Sequence, residues 1–340
     1  MKFSIVIPVY NAHDCLRPCL DSVISQTEQD WECICIDDGS KDDSGAICEE
    51  YSSRDSRFKV VRQQNKGLTA TRNVGLRMAK GEYVAFLDCD DARYDDWLEL
   101  ADGAIRKTGA DMIRFGYADW HGEAHPARCC DGTPNIALCK GEDDVLKWAF
   151  EHLNKTAYIW LSLYRRSRLD GFQFEERRIY REDIVSSMHI ISRMRSIAEV
   201  DCKPCLYLIR EGSMMHAKIK AEELIGYWEE YERILVDRKD QIERIGLEKE
   251  IAGNFAMMVY GGTRNWLYWQ DGRDRDKWPK VAEKLNLYWK QGRLQTRQIN
   301  GLWGVVFALY CRNGYRTPML CLERLAVFAN SVKKRIAGKE

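Results

Sequence analysis

The triplet Asp88-Cys89-Asp90 sets two carboxylates one residue apart, directly after the apolar run Val84-Ala85-Phe86-Leu87. At a strand end two such acids can converge on one hard cation. Mg²⁺ takes one or two protein carboxylates and completes its octahedron with water and phosphate oxygens. A cation held this way neutralises a diphosphate leaving group as its bond breaks. The same triplet also occurs as a plain solvated turn; the run before it and the βα setting favour the metal reading.

Asp37-Asp38 is a second acidic pair, followed by Gly39-Ser40. A carboxylate accepts the ring N–H of uracil or guanine. Burying a second acid beside it is costly unless it is hydrogen-bonded, so one of the two should face ribose or backbone. The competing reading is a turn that caps a helix. Asn65-Lys66-Gly67 and Ala70-Thr71-Arg72-Asn73-Val74-Gly75 form a third segment. Gly67 permits close approach of backbone to a ligand, and Arg72 near a helix start can fork onto phosphate or carboxylate. Glu182-Asp183 opens a helix after Arg181, where the helix dipole favours acids whether or not they are catalytic.

The elements that carry these segments follow from periodicity. Phe3–Val9 is a continuous apolar run, the pattern of a strand buried on both faces. Asp14–Gln26 has apolar residues at helical spacing, Trp31–Ile36 is a second strand, and Ser44–Ser52 reads as helix. Phe58–Val61, Tyr83–Leu87 and Asp111–Phe115 read as strands, with helices over Thr69–Ala79 and Trp97–Lys107 between them. Strands alternating with helices imply an α/β domain with a parallel sheet. Ligands bind such sheets outside the carboxyl ends of the strands, where Tyr10-Asn11, Asp37-Asp38 and Asp88-Cys89-Asp90 fall. Beyond, His121–Asn135 reads as an excursion, Asp143–Leu153 and Tyr180–Ser192 as helices and Pro204–Arg210 as a strand. From Ala221 helical periodicity dominates and Trp and Tyr become dense, which puts a boundary near residue 216.

The 340 residues carry 52 Lys+Arg against 52 Asp+Glu, a balance that argues against a nucleic-acid partner. No signal peptide is apparent at Met1–Tyr10, so the 13 cysteines read as small buried hydrophobes of a cytoplasmic protein. Cys202-x-x-Cys205 is the one spacing that suggests metal or redox chemistry, and no second pair stands at zinc-finger spacing nearby. No stretch reaches the ~18 apolar residues of a membrane span. Apolar Leu302–Leu309 with basic Lys333-Lys334-Arg335 suits a helix lying on anionic lipid, which offers peripheral contact with the inner face of the cell membrane. The tail's aromatic residues, Trp228 and Trp266 among them, read first as core.

Taken together, these residues resemble the family 2 inverting glycosyltransferases with the GT-A fold, especially bacterial enzymes that build surface polysaccharides. The matching pieces are Ser4–Asn11, Leu20–Thr27, Ile36–Ser40, Asn65–Gly67, Ala70–Gly75 and Gly81–Asp91, with weaker matches at Leu163–Arg166, Glu182-Asp183 and Tyr207–Arg210 with Ser213. The resemblance implies a Rossmann-like, mostly parallel sheet with helices on both faces over residues 1–216, a nucleotide-sugar half to about 115 and an acceptor half over 116–216. Residues 217–340, the helical C-terminal region, lie outside it. It implies that Pro8, Val9 and Tyr10 line the base pocket, that Asp38 with Asp37 holds the base, and that Lys66, Gly67, Arg72 and Asp88 meet the donor nucleotide. Asp90 would be the principal ligand of Mn²⁺ or Mg²⁺, joined by Asp88 and, as in some GT-A enzymes, by a distal histidine, here His216. Asp183 would be the catalytic base, with Glu182 and Arg210 beside the diphosphate or the acceptor. One departure stands out: Tyr94-Asp95-Asp96 occupies the place where the family carries Pro. The implied reaction moves a sugar from a nucleotide-diphosphate sugar, UDP first among the carriers, to a saccharide or lipid-linked saccharide by single displacement. Two rivals remain. A nucleotidyltransferase would want a Gly-rich phosphate loop where Asn11-Ala12-His13-Asp14 stands, and an inactive scaffold would not need Asp88, Asp90 and Asp183 together.

Overall fold

The computed structural model describes residues 1–122, 128–130, 132–152, 158–209, 220–268 and 277–290. The chain divides into two compact units, Met1–Arg178 with Glu182–Ser213, and Ile179–Arg181 with Met214–Glu340.

The first unit is built on an eight-stranded sheet. β1 (Phe3–Val9) and β2 (Trp31–Asp37) are buried at every position. On β1, Phe3, Ile5, Ile7 and Val9 face a core shared with α1 (Leu16–Ile24), α2 (Ser44–Arg54) and α4 (Trp97–Thr108). The opposite face takes α3 (Leu68–Met78), which lies so close that a Cβ added at Gly75 would come within 2.2 Å of a Val6 methyl. Helices on both faces explain why these strands read as unbroken apolar runs.

With β3 (Phe58–Arg62), β4 (Tyr83–Phe86), β6 (Met112–Arg114), β8 (Ile136–Lys140), β9 (Ser162–Arg165) and β10 (Ser196–Val200), the order is β3-β2-β1-β4-β9-β6-β10-β8. Strands β3, β2, β1 and β4 are mutually parallel. The chain moves outward from β1 to β3 and then returns to the other flank of β1 as β4, so the switch point lies between β1 and β4. Beyond it the sheet is mixed: β9 runs antiparallel to both β4 and β6, and β8 antiparallel to β10. Helices α5 (Glu142–Glu151) and α6 (Glu182–Ile191) complete the second half.

A second sheet has the order β5-β11-β7, from β5 (Ala92–Arg93), β11 (Cys205–Leu208) and β7 (Tyr117–Trp120). Strand β5 follows the Asp88–Asp90 acids directly and pairs antiparallel with β11. Hydrogen bonds hold the turn at Tyr94–Asp96. Tyr94 donates its N–H to the Pro204 carbonyl at 3.0 Å. Gln26 donates to the Tyr94 carbonyl at 2.8 Å and accepts from the Leu98 N–H at 2.9 Å.

The second unit holds α7 (Ala221–Asp237), α8 (Lys239–Ile245), α9 (Glu248–Tyr268) and α10 (Trp278–Lys290). Trp228, Tyr231, Trp266 and Tyr288 are buried in it, so these aromatic residues are core. No described helix is long and apolar enough to cross a membrane. Leu302–Leu309 and Lys333–Arg335 lie outside the described residues.

Candidate active site

The loop after β1 is laced to the loop after β2. Asn11 holds a positive φ of 48°, a conformation that Asn tolerates better than most residues. The Asn11 N–H donates to Ser40 Oγ at 3.0 Å, Ala12 N–H to Ser44 Oγ at 2.8 Å and His13 N–H to Asp42 Oδ2 at 3.1 Å. Pro8 and Val9 are buried within β1, while Tyr10 at the strand end is 45% exposed.

Asp37 and Asp38 are both buried, and both are engaged by the protein. Asp37 accepts the Ser40 N–H at 2.9 Å and pairs with Arg62 at 3.2 Å. Asp38 accepts from Gln63 Nε2 at 2.7 Å, from the Lys66 N–H at 2.8 Å and from the Gly67 N–H at 2.8 Å. Asp38 thereby gathers the 63–67 loop beside the end of β1. A carboxylate offers about four lone-pair positions, so each acid retains acceptor capacity.

Three consecutive residues of α3 reach partners on different segments. Thr71 Oγ1 donates to the Gly67 carbonyl at 2.8 Å. Asn73 donates to the Phe174 carbonyl at 2.9 Å and accepts the Phe174 N–H at 2.7 Å. Between them Arg72, fully buried, donates from Nη1 to Asp183 at 2.8 Å and from Nη2 to Asp88 at 3.1 Å. Burial works against the cation, but Asp183 and Asp88 outweigh it and raise the Arg72 pKa, so its charge is fixed.

The acids around Arg72 sit close enough to disturb one another. The surrounding protein, and then the charge of Asp88, push the Asp183 carboxyl up, against the pull of Arg72. Glu182 is pushed up to about 6 by burial and by Asp183. Asp91 is buried and is pushed up to about 8, first by desolvation and then by Asp88. It accepts the Leu208 N–H at 3.2 Å, which ties β11 to the acidic turn. Cys89 packs inward against the core, while Asp88 and Asp90 on either side of it keep access to solvent.

Two solvent-accessible carboxylates, with the one thiol turned inward, make an oxygen donor set suited to Mg²⁺ or Mn²⁺ rather than to a soft metal. Among the described residues, Asp88, Asp90, Glu182 and Asp183 outnumber the Arg72 guanidinium between them, which favours a cation as well. The residues present therefore fit the divalent ion that the resemblance implies.

An aromatic cluster beside the small sheet was not singled out from the sequence as a site. Tyr117 packs edge-on against Tyr158, Trp160 and Tyr207 at ring distances of 6.0, 5.5 and 6.0 Å, and Trp160 stacks on Tyr207 at 5.7 Å. Tyr117 and Tyr158 are 38% and 37% exposed. Arg93, three residues past Asp90, donates to the Trp160 carbonyl at 2.7 Å, which fixes the cluster to the acidic turn. The density of aromatic residues at Tyr158–Tyr164 was the only signal in the sequence. Arg210 and His216 lie outside the described residues.

A mostly parallel sheet with acids at its switch point, an Arg bridging Asp88 and Asp183 and helices on both faces is the GT-A fold. Residues 4–123 match the family model Glycosyl transferase family 2. Over that segment, about a third of the chain, the protein is similar to glycosyl transferase family 2. The uncharacterized glycosyltransferase EpsJ of Bacillus subtilis is 29% identical over 214 residues, 62% of this chain and 61% of that protein. Glycosyltransferase GlyA of Streptococcus pneumoniae is 43% identical over 116 residues, 34% of this chain and 17% of that protein. The matched part thus spans less than two thirds of these relatives' own lengths. Among solved structures, S. aureus TarS 1–349 superposes with a TM-score of 0.66 at 18% identity, covering 96% of this chain and 92% of that one, a likeness of fold.

Proposed function

We propose that the protein transfers a sugar, with inversion, from a nucleotide-diphosphate sugar to a saccharide or lipid-linked saccharide acceptor in polysaccharide synthesis. The observation that carries this reading is the bridge from Arg72 to Asp88 and Asp183 at 3.1 and 2.8 Å. It sets the donor-side acid and the base on one fixed cation. Asp183 takes the acceptor hydroxyl proton as the oxygen attacks the anomeric carbon. Arg72, charged and immobile, stabilises negative charge that gathers at the departing diphosphate. Asp38 and the 63–67 loop it organises receive the base, with Tyr10 as the exposed ring at the end of β1. A divalent ion on Asp90 and Asp88 would supply charge neutralisation at the diphosphate. The exposed rings of Tyr117 and Tyr158 offer the acceptor sugar a stacking surface. A cytoplasmic location, at the inner membrane face where the acceptor is lipid-linked, is part of the same proposal.

The fold neighbours support the donor class. TarS is solved with UDP and with UDP-GlcNAc, and the mannosyltransferase PcManGT from Pyrobaculum calidifontis with GDP-Man and Mn²⁺. The nucleotidyltransferase reading loses ground on the β1 loop. Its Asn11, Ala12 and His13 N–H groups are all spent on Ser40, Ser44 and Asp42, so they do not form a phosphate cradle. Calorimetric titration with UDP, GDP and dTDP, with and without Mn²⁺, tests the proposal. Mn²⁺-dependent binding of UDP, lost on chelation and in Asp90→Ala, is expected. A folded protein that binds none of the three would return the chain to the scaffold reading.

A further inference from the structure

Cys202, drawn out by its spacing from Cys205, finds different company in the fold. Cys205 is fully buried in β11 within the apolar core. Cys202, in the turn between β10 and β11, meets Cys129 and Cys130 instead. The three Sγ atoms lie within 4.8 Å of one another, each residue is partly exposed, and all three cysteines are free.

The backbones that present these thiols are anchored. The Cys129 N–H donates to both oxygens of the buried Asp96 at 3.2 and 3.3 Å. The Cys202 N–H donates to the Val200 carbonyl at 2.8 Å, and its own carbonyl accepts the Gly116 N–H at 2.9 Å. Arg128 donates to Glu99 at 3.1 Å and lies 3.8 Å from Asp96, so Asp96 already has a counter-charge. Tetrahedral Zn²⁺ with Zn–S bonds of about 2.3 Å needs sulfurs roughly 3.8 Å apart. The 4.8 Å bound on the sulfur separations lies about 1 Å above that spacing.

We propose that Cys129, Cys130 and Cys202 form a thiolate site for Zn²⁺ or a like soft divalent cation, separate from the oxygen site at Asp88 and Asp90. Binding forms three metal–sulfur bonds and releases the three thiol protons to solvent, with water in the fourth position. Without a cation, burial and mutual contact hold Cys129 and Cys130 as thiols; a bound metal reverses that preference. The ion would staple residues 128–130 to the β10–β11 turn and so brace β11, the partner of β5. No step of the sugar-transfer reading depends on this site.

The test uses full-length protein, reduced, stripped of metal and held in excess Mg²⁺ to occupy oxygen ligands. Co²⁺ should bind at one equivalent with sulfur-to-cobalt charge-transfer absorption, Zn²⁺ should displace it, and mass mapping should show Cys129, Cys130 and Cys202 shielded from alkylation. Cys202→Ser should remove the absorption and weaken Zn²⁺ binding by more than the about 10–100-fold that loss of an outer partner costs. Cys139→Ser, on β8, should leave both unchanged. Absence of the thiolate band with all three cysteines reactive overturns the proposal. So does a disulfide among the three that persists in protein purified under reductant.

Discussion

Arg72 and Asp183 stand 111 residues apart in the chain and 2.8 Å apart in the fold, with the second terminal nitrogen of Arg72 on Asp88. A guanidinium presents donors in a fixed fork; an ammonium is a point charge on a flexible stem. Arg72→Lys is expected to keep the charge but hold only one acid. Turnover of the donor sugar should fall about 10²–10³-fold. The melting temperature should drop as well. The cost should stay below the roughly 3–5 kcal/mol of breaking a fully buried pair, because Asp88 and Asp183 keep 28% and 35% of their side-chain surface exposed. Wild-type turnover in the lysine variant would remove the bridge from the mechanism.

With Asp183 as the proposed base, the carboxyl pair Glu182–Asp183 should set the acid limb of the rate profile. Asp183 is raised and Glu182 sits at about 6, so the two titrate as a coupled pair. A base works only when deprotonated; turnover therefore rises with pH through the raised pKa. Glu182→Gln removes the neighbouring charge, and the acid limb of kcat/KM should move to lower pH. Stability runs the opposite way with pH. The folded protein holds a proton on Glu182 that the unfolded chain, with an ordinary Glu pKa of about 4.3, gives up earlier. Stability present below that ordinary value is lost as pH rises through about 6. The glutamine variant should thus melt higher than the parent above that window and equally below it.

Gly75 tests the close approach of α3 to β1. A Cβ there meets Val6 Cγ1 at 2.2 Å and Ile36 Cδ1 at 3.0 Å, both in the packed centre of the sheet. Gly75→Ala should cost about 1–3 kcal/mol through overpacking, against the few tenths to one that alanine gains in an exposed helix. Chemical denaturation reads the difference; a stabilised alanine variant would show that α3 can lift off β1 freely.

The proposed acceptor role of the aromatic cluster is separable from donor binding. Tyr117→Ala opens the exposed corner formed with Tyr158 and Trp160. It should raise the acceptor KM severalfold while leaving nucleotide affinity by calorimetry unchanged. A loss of nucleotide affinity instead would assign the cluster to the donor side.

The β1–β4 part of the sheet was legible because its signals are local. Strands buried on both faces print as unbroken apolar runs, and the acids that end them fall at the carboxyl edge of the sheet, at Asp37 and Asp88. What escaped were relations between distant segments. A two-residue strand, Ala92–Arg93, has no period to detect, and it exists because β11 pairs with it. Tyr158–Tyr164 shows apolar and aromatic character but carries no mark of its direction, so the antiparallel β9 could not be foreseen. Cys202 lies beside Cys129 and Cys130, a relation its spacing from Cys205 does not carry, since spacing sees only the same stretch of chain. The partners of Asp37 and Asp38 escaped for that reason too: Arg62 and the 63–67 loop reach them only once β3 has paired with β2.

Strand β9 has a consequence for how the chain comes to be folded. It lies between β4 and β6 and pairs with both, yet it is made long after them. A ribosome that has released residues 4–123, the segment matching the family, exposes β4 with one bare edge and β6 with no neighbour. Bare edges invite pairing with other chains. The link between β4 and β6 therefore waits on residue 165, and a fragment cut at the end of the family match carries those strand edges unpaired.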